Sequence, residues 1–461
     1  MKKIRILSLV IAAITLLTLC ACNPGGNTPA QSSADPAETT ATPPEQTSAS
    51  TTKAPETTKK PETTKAPEIS TEPEQTYATP ATVDGVYQLS TVDDLFWFME
   101  DGPRDGKYAL VNDIVFNDVA NIAEWSIENQ PKNVWNPIGT SFATFSGSFN
   151  GNGHTITGLY VLGAGNVGMF GACTNAVIEN IIIASGRVLS TDSNTGAFIG
   201  TYDGTDNVLR NCVNNADVYG YAYVGGLVGK YVSYPGSNIL IENCVNRGSV
   251  TGSKPAAAVY VGGIIPAVIG AQVKNCANFG TVMAGLLDNP LYETSGCALV
   301  GGIGGVMGGS KSENDLISNC YNAGTVISCN YGLNSNKGTA AAGGIIGRMN
   351  GTTDVCKIEN CYSTGNVYTL SAESLQVSAT CVTKSGVDYA NNVYTSGKVL
   401  VWKTEAENPN AQIPACGSPE VNTGIGAVSA MNFDPLVWTD SLDGAPILSS
   451  IAAEYQLPLS N

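Results

Sequence analysis

The sequence predicts an all-β solenoid, a parallel β-helix built from coils of about 30–45 residues. One observation is a template of apolar, any residue, Asn, Cys that recurs five times. It reads Leu209-Arg210-Asn211-Cys212, Ile241-Glu242-Asn243-Cys244, Val273-Lys274-Asn275-Cys276, Ile317-Ser318-Asn319-Cys320 and Ile358-Glu359-Asn360-Cys361. The steps between these cysteines are 32, 32, 44 and 41 residues. A second observation is that each period carries three short apolar pieces separated by turn residues. In one period they are Val224–Gly229, Ile239–Val245 and Gly248–Val250. Pieces this short are strands and not helices, and three per period give a coil of triangular section.

In chain order, residues 1–21 have the form of a secretion signal. Met1-Lys2-Lys3-Ile4-Arg5 is basic, and Ile6 to Leu19 is an almost unbroken apolar run. The run is short for a membrane span and ends in small residues. Leu19-Cys20-Ala21-Cys22 resembles the lipobox of bacterial lipoproteins. That resemblance implies cleavage before Cys22, diacylation of its thiol and attachment to the cell membrane. Residues 22–80 are rich in Thr, Pro, Glu, Ala and Lys, with no aromatic residue from Asn23 to Thr76. Such a composition buries too little apolar surface to offset its ordering entropy, and proline extends it. We expect a disordered stalk that holds the rest of the chain away from the membrane.

Residues 81–144 read as an N-terminal cap and first coils. Ser90-Thr91-Val92-Asp93-Asp94 places an N-cap hydroxyl three residues before an acid, ahead of Leu95-Phe96-Trp97-Phe98-Met99. This predicts a short helix whose apolar face covers the core and the open strand edges of the first coil. Residues 145–400 are the repeats, opening with Phe145-Ser146-Gly147-Ser148-Phe149-Asn150-Gly151-Asn152-Gly153-His154. Residues 401–461 read as a final coil and cap. Stacked in register about 4.8 Å apart, Asn above Asn passes amide hydrogen bonds along a column at a bend. Asn211, Asn243, Asn275, Asn319 and Asn360 are therefore placed in bends. Cys212, Cys244, Cys276, Cys320 and Cys361 are placed in the core as free thiols, since side chains pointing the same way make poor disulfide geometry.

These repeats resemble the GLUG motif, named for Gly-Leu-hydrophobic-Gly. It stands here as Gly226-Leu227-Val228-Gly229 and Gly344-Ile345-Ile346-Gly347, and more loosely as Gly196-Ala197-Phe198-Ile199-Gly200, Gly263-Ile264-Ile265-Pro266 and Gly302-Ile303-Gly304-Gly305. The resemblance spans Phe145 to Val399, and the Trp438…Pro446-Ile447-Leu448 ending is also similar to such proteins. It implies a right-handed β-helix of the pectin-lyase type in bacterial surface proteins, some of them IgA-specific proteases with a separate catalytic domain. Pro266 departs from the motif and should distort its coil.

The formal net charge is −16, without a basic cluster outside the signal, which argues against nucleic acid as a partner. His154 is the single histidine, so multi-histidine zinc sites are excluded. Without a Gly-x-Ser-x-Gly elbow it reads as structural. We expect no metal, no cofactor and no calcium repeat. Many helices of this type act on polysaccharides, and the best acidic cluster is Asp203 and Asp206 near Arg210. Adjacent coils do not repeat it, so no catalytic residue is assigned. Insertions of unequal length, Gly252–Tyr260, Ala284–Leu299, Cys329–Ala341 and Leu370–Thr380, leave each coil at the same point. They should form one edge carrying Tyr260, Tyr292 and Tyr331, suited to stacking on sugars or contacting a surface protein. The expected role is display and binding, as an adhesin or by capture of a glycan or protein. The alternatives are a carbohydrate-active enzyme on the same helix and a passive envelope element.

Overall fold

The computed structural model describes residues 76–192, 194–231, 239–253, 258–285, 298–308, 315–330, 339–350, 356–371, 374–378, 381–383, 394–395, 399–402, 434–440, 446–451 and 455. The signal, Cys22 and the stalk up to residue 75 lie outside them, as do Tyr292 and Tyr331. The described chain is a parallel β-helix. One ten-stranded sheet and one fifteen-stranded sheet run along it, joined by a seven-stranded sheet and by shorter sheets of three and four strands.

The coil spanning residues 239–268 shows how the sequence makes the turn. Ile239–Glu242 joins the ten-stranded sheet, Val245–Asn246 and Val250–Gly252 join the fifteen-stranded sheet, Val259–Gly262 joins the seven-stranded sheet, and Ile265–Val268 begins the four-stranded sheet. The three apolar pieces of the period are present, but two are split by a sharp bend, at Asn243 and at Gly263-Ile264. Alternation along each strand sends one column inward. Leu209, Ile241, Val273, Ile317 and Ile358 are stacked in register and buried. A fully buried aliphatic side chain contributes roughly 1.5–3 kcal/mol, so repeated columns make the core.

Register carries through the insertions. Gly252 pairs with Ala284 and Ala284 with Ser328, while beyond the insertions Val259 pairs with Ala298 and Ala298 with Ala340. The insertions thus leave and rejoin the stack at two fixed corners. Pro266 marks a break. The sheet formed by Phe170–Thr174, Ile199–Asp203 and Val228–Tyr231 ends there, and a separate sheet begins at Ile265–Val268. A proline has no N–H to donate across the ladder, so the expected local distortion takes the form of a divided sheet.

At the N-terminal end, helix α1 (Val92–Glu100) starts with a capping box. The Thr91 hydroxyl accepts from the Asp94 N–H, and the Asp94 carboxylate accepts from the Thr91 N–H. Leu95, Trp97, Phe98 and Met99 are buried. Phe98 packs against Tyr108 (4.2 Å between ring centres), Phe149 (5.5 Å), Phe145 and Phe170 (6.1 Å each), making an aromatic plug over the first coils. The edge of the ten-stranded sheet is closed by a different device. Thr82–Val83 folds back antiparallel on Val86–Leu89, whose other side pairs in parallel with Lys107–Leu110. A two-residue strand leaves little edge to template another chain.

The chain's last described strands, Trp438–Asp440 and Pro446–Leu448, pair antiparallel with each other in a separate two-stranded sheet. Trp438, Leu448 and Ile451 share an apolar cluster with Ile182, Val213, Val245, Ala277, Tyr321 and Tyr362. Those six form the outward column of the fifteen-stranded sheet, one residue after the cysteine position. These two strands therefore pack on the flank of the solenoid.

Candidate functional site

The Asn-Cys pairs form two columns at one corner. Asn211, Asn243, Asn275, Asn319 and Asn360 all have φ between 48° and 53°, the left-handed region that Asn tolerates better than other side-chain-bearing residues. Each turns the chain from the ten-stranded to the fifteen-stranded sheet. Their amides pass bonds from coil to coil: Asn211 Nδ2 donates to Asn180 Oδ1 (2.9 Å), Asn243 to Asn211 (3.2 Å), Asn275 to Asn243 (3.1 Å) and Asn360 to Asn319 (3.3 Å). The column begins earlier than the Asn-Cys template, because Asn180 also donates to Asn150 Oδ1 (3.0 Å). It is interrupted at the 44-residue coil, where Asn275 Oδ1 has no partner.

Cys212, Cys244, Cys276, Cys320 and Cys361 point into the core, fully buried and free. Each sulfur lies 3.1–3.3 Å from the carbonyl two residues earlier. Burial pushes the thiols of Cys244, Cys320 and Cys361 well above their ordinary range. Among the described residues no group of three or more His, Cys, Asp or Glu is placed to hold a metal ion.

A second amide column runs beside the first, and it was legible as Asn-Cys-x-Asn. Asn214, Asn246, Asn278 and Asn322 are fully buried. Asn214 donates to Asn246 Oδ1 (2.9 Å), Asn246 to Asn278 (2.8 Å), Asn278 to Asn322 (2.8 Å), and Asn322 to the Ser363 hydroxyl (3.2 Å). Each Nδ2 also donates to the carbonyl two residues on, at Ala216, Gly248, Gly280 and Gly324 (2.9–3.0 Å). This column gives the Gly-Gly-Leu sequence its physical meaning. A Cβ on Gly226, Gly263 or Gly302 would stand 2.3–2.5 Å from the Cγ of Asn246, Asn278 or Asn322. The repeated glycine and the repeated asparagine are two sides of one contact.

The other candidates are local. His154 Nδ1 lies 3.2 Å from Asp113 Oδ1, which also accepts the Thr155 N–H (2.8 Å). These bonds, the backbone one first, hold the Asp113 carboxyl below its usual range. Arg210 is paired with Glu179 of the preceding coil (2.7 Å), while Asp203 accepts the Gly204 N–H and Asp206 the Thr205 hydroxyl. The cluster considered for catalysis is thus an ion pair beside a turn. Tyr260 stands on the strand Val259–Gly262 and not in the insertion before it. Its ring stacks on Tyr223 (4.9 Å, 18°) and packs against a cluster of Ala267, Leu299, Val306 and Ala341. Its side chain is partly buried there.

Sequence spacing did not point to the corner where the seven-stranded and three-stranded sheets meet. Asn166, Asn194, Tyr223 and Tyr260 form one outward column, and Thr201 and Lys230 are in register on the adjoining sheet. Asn194 Nδ2 and the Thr201 hydroxyl both donate to Asn166 Oδ1 (2.7 and 2.9 Å). The Lys230 ammonium sits 5.3 Å from the Tyr223 ring centre.

The fold and these columns define a class: a parallel β-helix whose coils are locked by stacked asparagines. No family profile matches the chain. Over 158 residues it is 32% identical to Halomucin of Haloquadratum walsbyi; the match covers 33% of this chain and 2% of that protein. Among solved structures, a Bacteroides ovatus protein provisionally named an immunoglobulin A1 protease aligns with a TM-score of 0.46 at 19% identity, covering 79% of this chain and 93% of that one.

Proposed function

We propose that this chain is a cell-surface lipoprotein that displays a β-helix for adhesion or for binding a glycan or protein. The observation that carries the reading is the stack itself. Its repeated letters are used in holding coils in register, by amide columns and buried thiols, which leaves the outward columns and the insertions to vary. The sequence-level signal, the lipobox at Cys22 and the Thr/Pro stalk support placement outside the cell on a lipid anchor. The resemblance of one third of the chain to a protein named as a mucin supports a surface role. Engagement of Arg210 by Glu179 disfavours the carbohydrate-active enzyme, since the cluster's basic residue is already committed.

Purified residues 76–461 tested on a glycan array and in a reducing-end assay decide among the readings. Specific retention without product supports display and binding. Release of product supports the enzyme, and silence in both assays supports a passive envelope element.

A further inference from the structure

The outer face of the ten-stranded sheet carries two columns that the coil stack leaves open. One is mainly apolar: Val177, Val208, Leu240, Gln272 and Leu316 stand in register, each partly exposed. Its four apolar residues belong to none of the apolar clusters among the described residues. The other column lies two residues on and reads Glu179, Arg210, Glu242 and Lys274. These are four charges of alternating sign, bounded by the neutral Asn150 and Ser318. In-register stacking itself favours such alternation, because like charges about 4.8 Å apart repel. Glu179 and Arg210 meet that demand, with Arg210 Nε 2.7 Å from Glu179 Oε2. Glu242 and Lys274, equally in register, form no ion pair among the described residues. Both are partly exposed, and 43% of the Arg210 side chain stays open to solvent despite its pairing. All of these charges except Glu179, which is more covered, thus remain well within reach of a partner.

We propose that this face binds a second copy of the chain about a two-fold axis that runs along the strands, between the coils of Arg210 and Glu242. Such an axis sets the two solenoids antiparallel and lays each column on its own reverse. Glu179 then faces Lys274 of the second copy, Arg210 faces Glu242, and the other two contacts repeat by symmetry. An even run of alternating charges meets its reverse with every sign opposed, whereas an odd run would set like against like. In the neighbouring column Val208 faces Leu240, so apolar side chains close the centre of the contact. A parallel arrangement would lay the charged column on the apolar one and leave its charges desolvated and unpaired. One coil beyond Leu316 the same axis sets Lys357 against Lys107, so the contact is confined to the six coils from Ser148 to Leu316. At about 4.8 Å per coil and three residues per strand this is roughly 300 Å² per copy, well under the ~800 Å² of a standard interface. The dimer is therefore weak. At physiological salt, charges more than about 8 Å apart are screened, so the net charge of −16 weighs little against these short contacts. A self-contact of this kind lies beyond the display reading and does not depend on it.

The test is sedimentation equilibrium of the full chain at physiological salt, carried up to submillimolar concentration. Lys274→Glu opposes like charges at the Glu179 contact twice per dimer, and Glu179→Lys does the same at the Lys274 contact. Mixed together, the two variants regain opposite signs at both contacts, which a folding defect in either would not bring about. Urea unfolding confirms that each variant is folded. Lys274→Gln, which removes the charge without reversing it, should weaken the dimer less than Lys274→Glu. The expected result is a mass that rises with concentration towards that of two chains and no further. Either reversal alone should weaken dimerisation about tenfold or more, and the equimolar mixture should recover it. Monomer at every concentration, growth past two chains, indifference to the reversals, or no recovery in the mixture would each overturn the pairing. Glycan retention on the array is a separate readout, so the binding reading and this self-contact can fail independently.

Discussion

Replacing Asn278 with alanine strikes the second amide column at its middle. Asn278 is fully buried, accepts from Asn246, and donates both to Asn322 Oδ1 and to the Gly280 carbonyl. The substitution removes the side-chain donors of two buried acceptors and one of the two acceptors used by Asn246 Nδ2. A buried polar group that loses its partner costs roughly 1–3 kcal/mol, so the two acceptors together imply a loss of about 2–6 kcal/mol. That is a large part of the roughly 5–15 kcal/mol that typically holds a domain folded. Urea denaturation measures it, read with hydrogen exchange because a repeat array can open locally. Asn243→Ala in the first column is the comparison. Its amide is only half-buried, so water replaces part of what is lost, and some of its cost is the backbone strain of alanine at φ 53°. Asn243→Gly should recover that strain component. Combining Asn278→Ala with Asn246→Ala should cost less than the two single changes together, since the Asn278 acceptor that Asn246→Ala alone would strand is then absent. A loss below about 1 kcal/mol for Asn278→Ala, or additivity of the pair, would refute the amide column as a cooperative support.

Three further outcomes are expected. Gly229→Ala places a Cβ 2.4 Å from the Thr195 backbone nitrogen, and overpacking against backbone should destabilise by about 1–3 kcal/mol or more in the same urea assay; a neutral result would contradict the close approach of the two sheets. The Asp113 carboxyl titrates lower folded than unfolded, so its contribution is present above the unfolded value near about 4 and fades as pH falls through the folded one. The side chain is 69% exposed, which keeps that contribution small; Asp113→Asn should slightly flatten the acid limb of stability, and a steeper limb would reverse the assignment. The buried thiols of Cys173, Cys212, Cys244, Cys276, Cys320, Cys356 and Cys361 should resist alkylation in native protein and react in urea, as peptide mapping would show; labelling of the native chain within minutes would contradict their placement.

The architecture was legible because a solenoid writes its geometry repeatedly. Asn211-Cys212 and its four successors recur since each coil must make the same left-handed bend and fill the same core position. The second column was equally legible, in Asn214, Asn246, Asn278 and Asn322 two residues after each cysteine. Reading the template as a pair hid it. Pro266 betrayed the sheet break for a reason carried by one residue, its missing N–H. The outward corner is different in kind. Asn194, Tyr223 and Lys230 occupy related positions on successive coils but share no letter, so no periodicity points to them. The surroundings of Tyr260 were hidden for a similar reason. A tyrosine bordering an insertion reads as exposed, and only register shows that Tyr223 and Leu299 flank it. The flank position of Trp438 and Leu448 was also beyond sequence, because apolar residues that cap an end and those that cover a side look alike.

The central claim is that buried asparagine side chains join successive coils in register. Proton exchange of those side-chain NH2 groups tests it most directly, observed by NMR on protein labelled with nitrogen-15 at asparagine alone. The stack predicts that the NH2 protons of Asn246 and Asn278 persist in heavy water as long as neighbouring strand amides, while those of exposed Asn129 are lost at once. If the Asn246 and Asn278 signals vanish as fast as that of Asn129, the coils are not joined in this way.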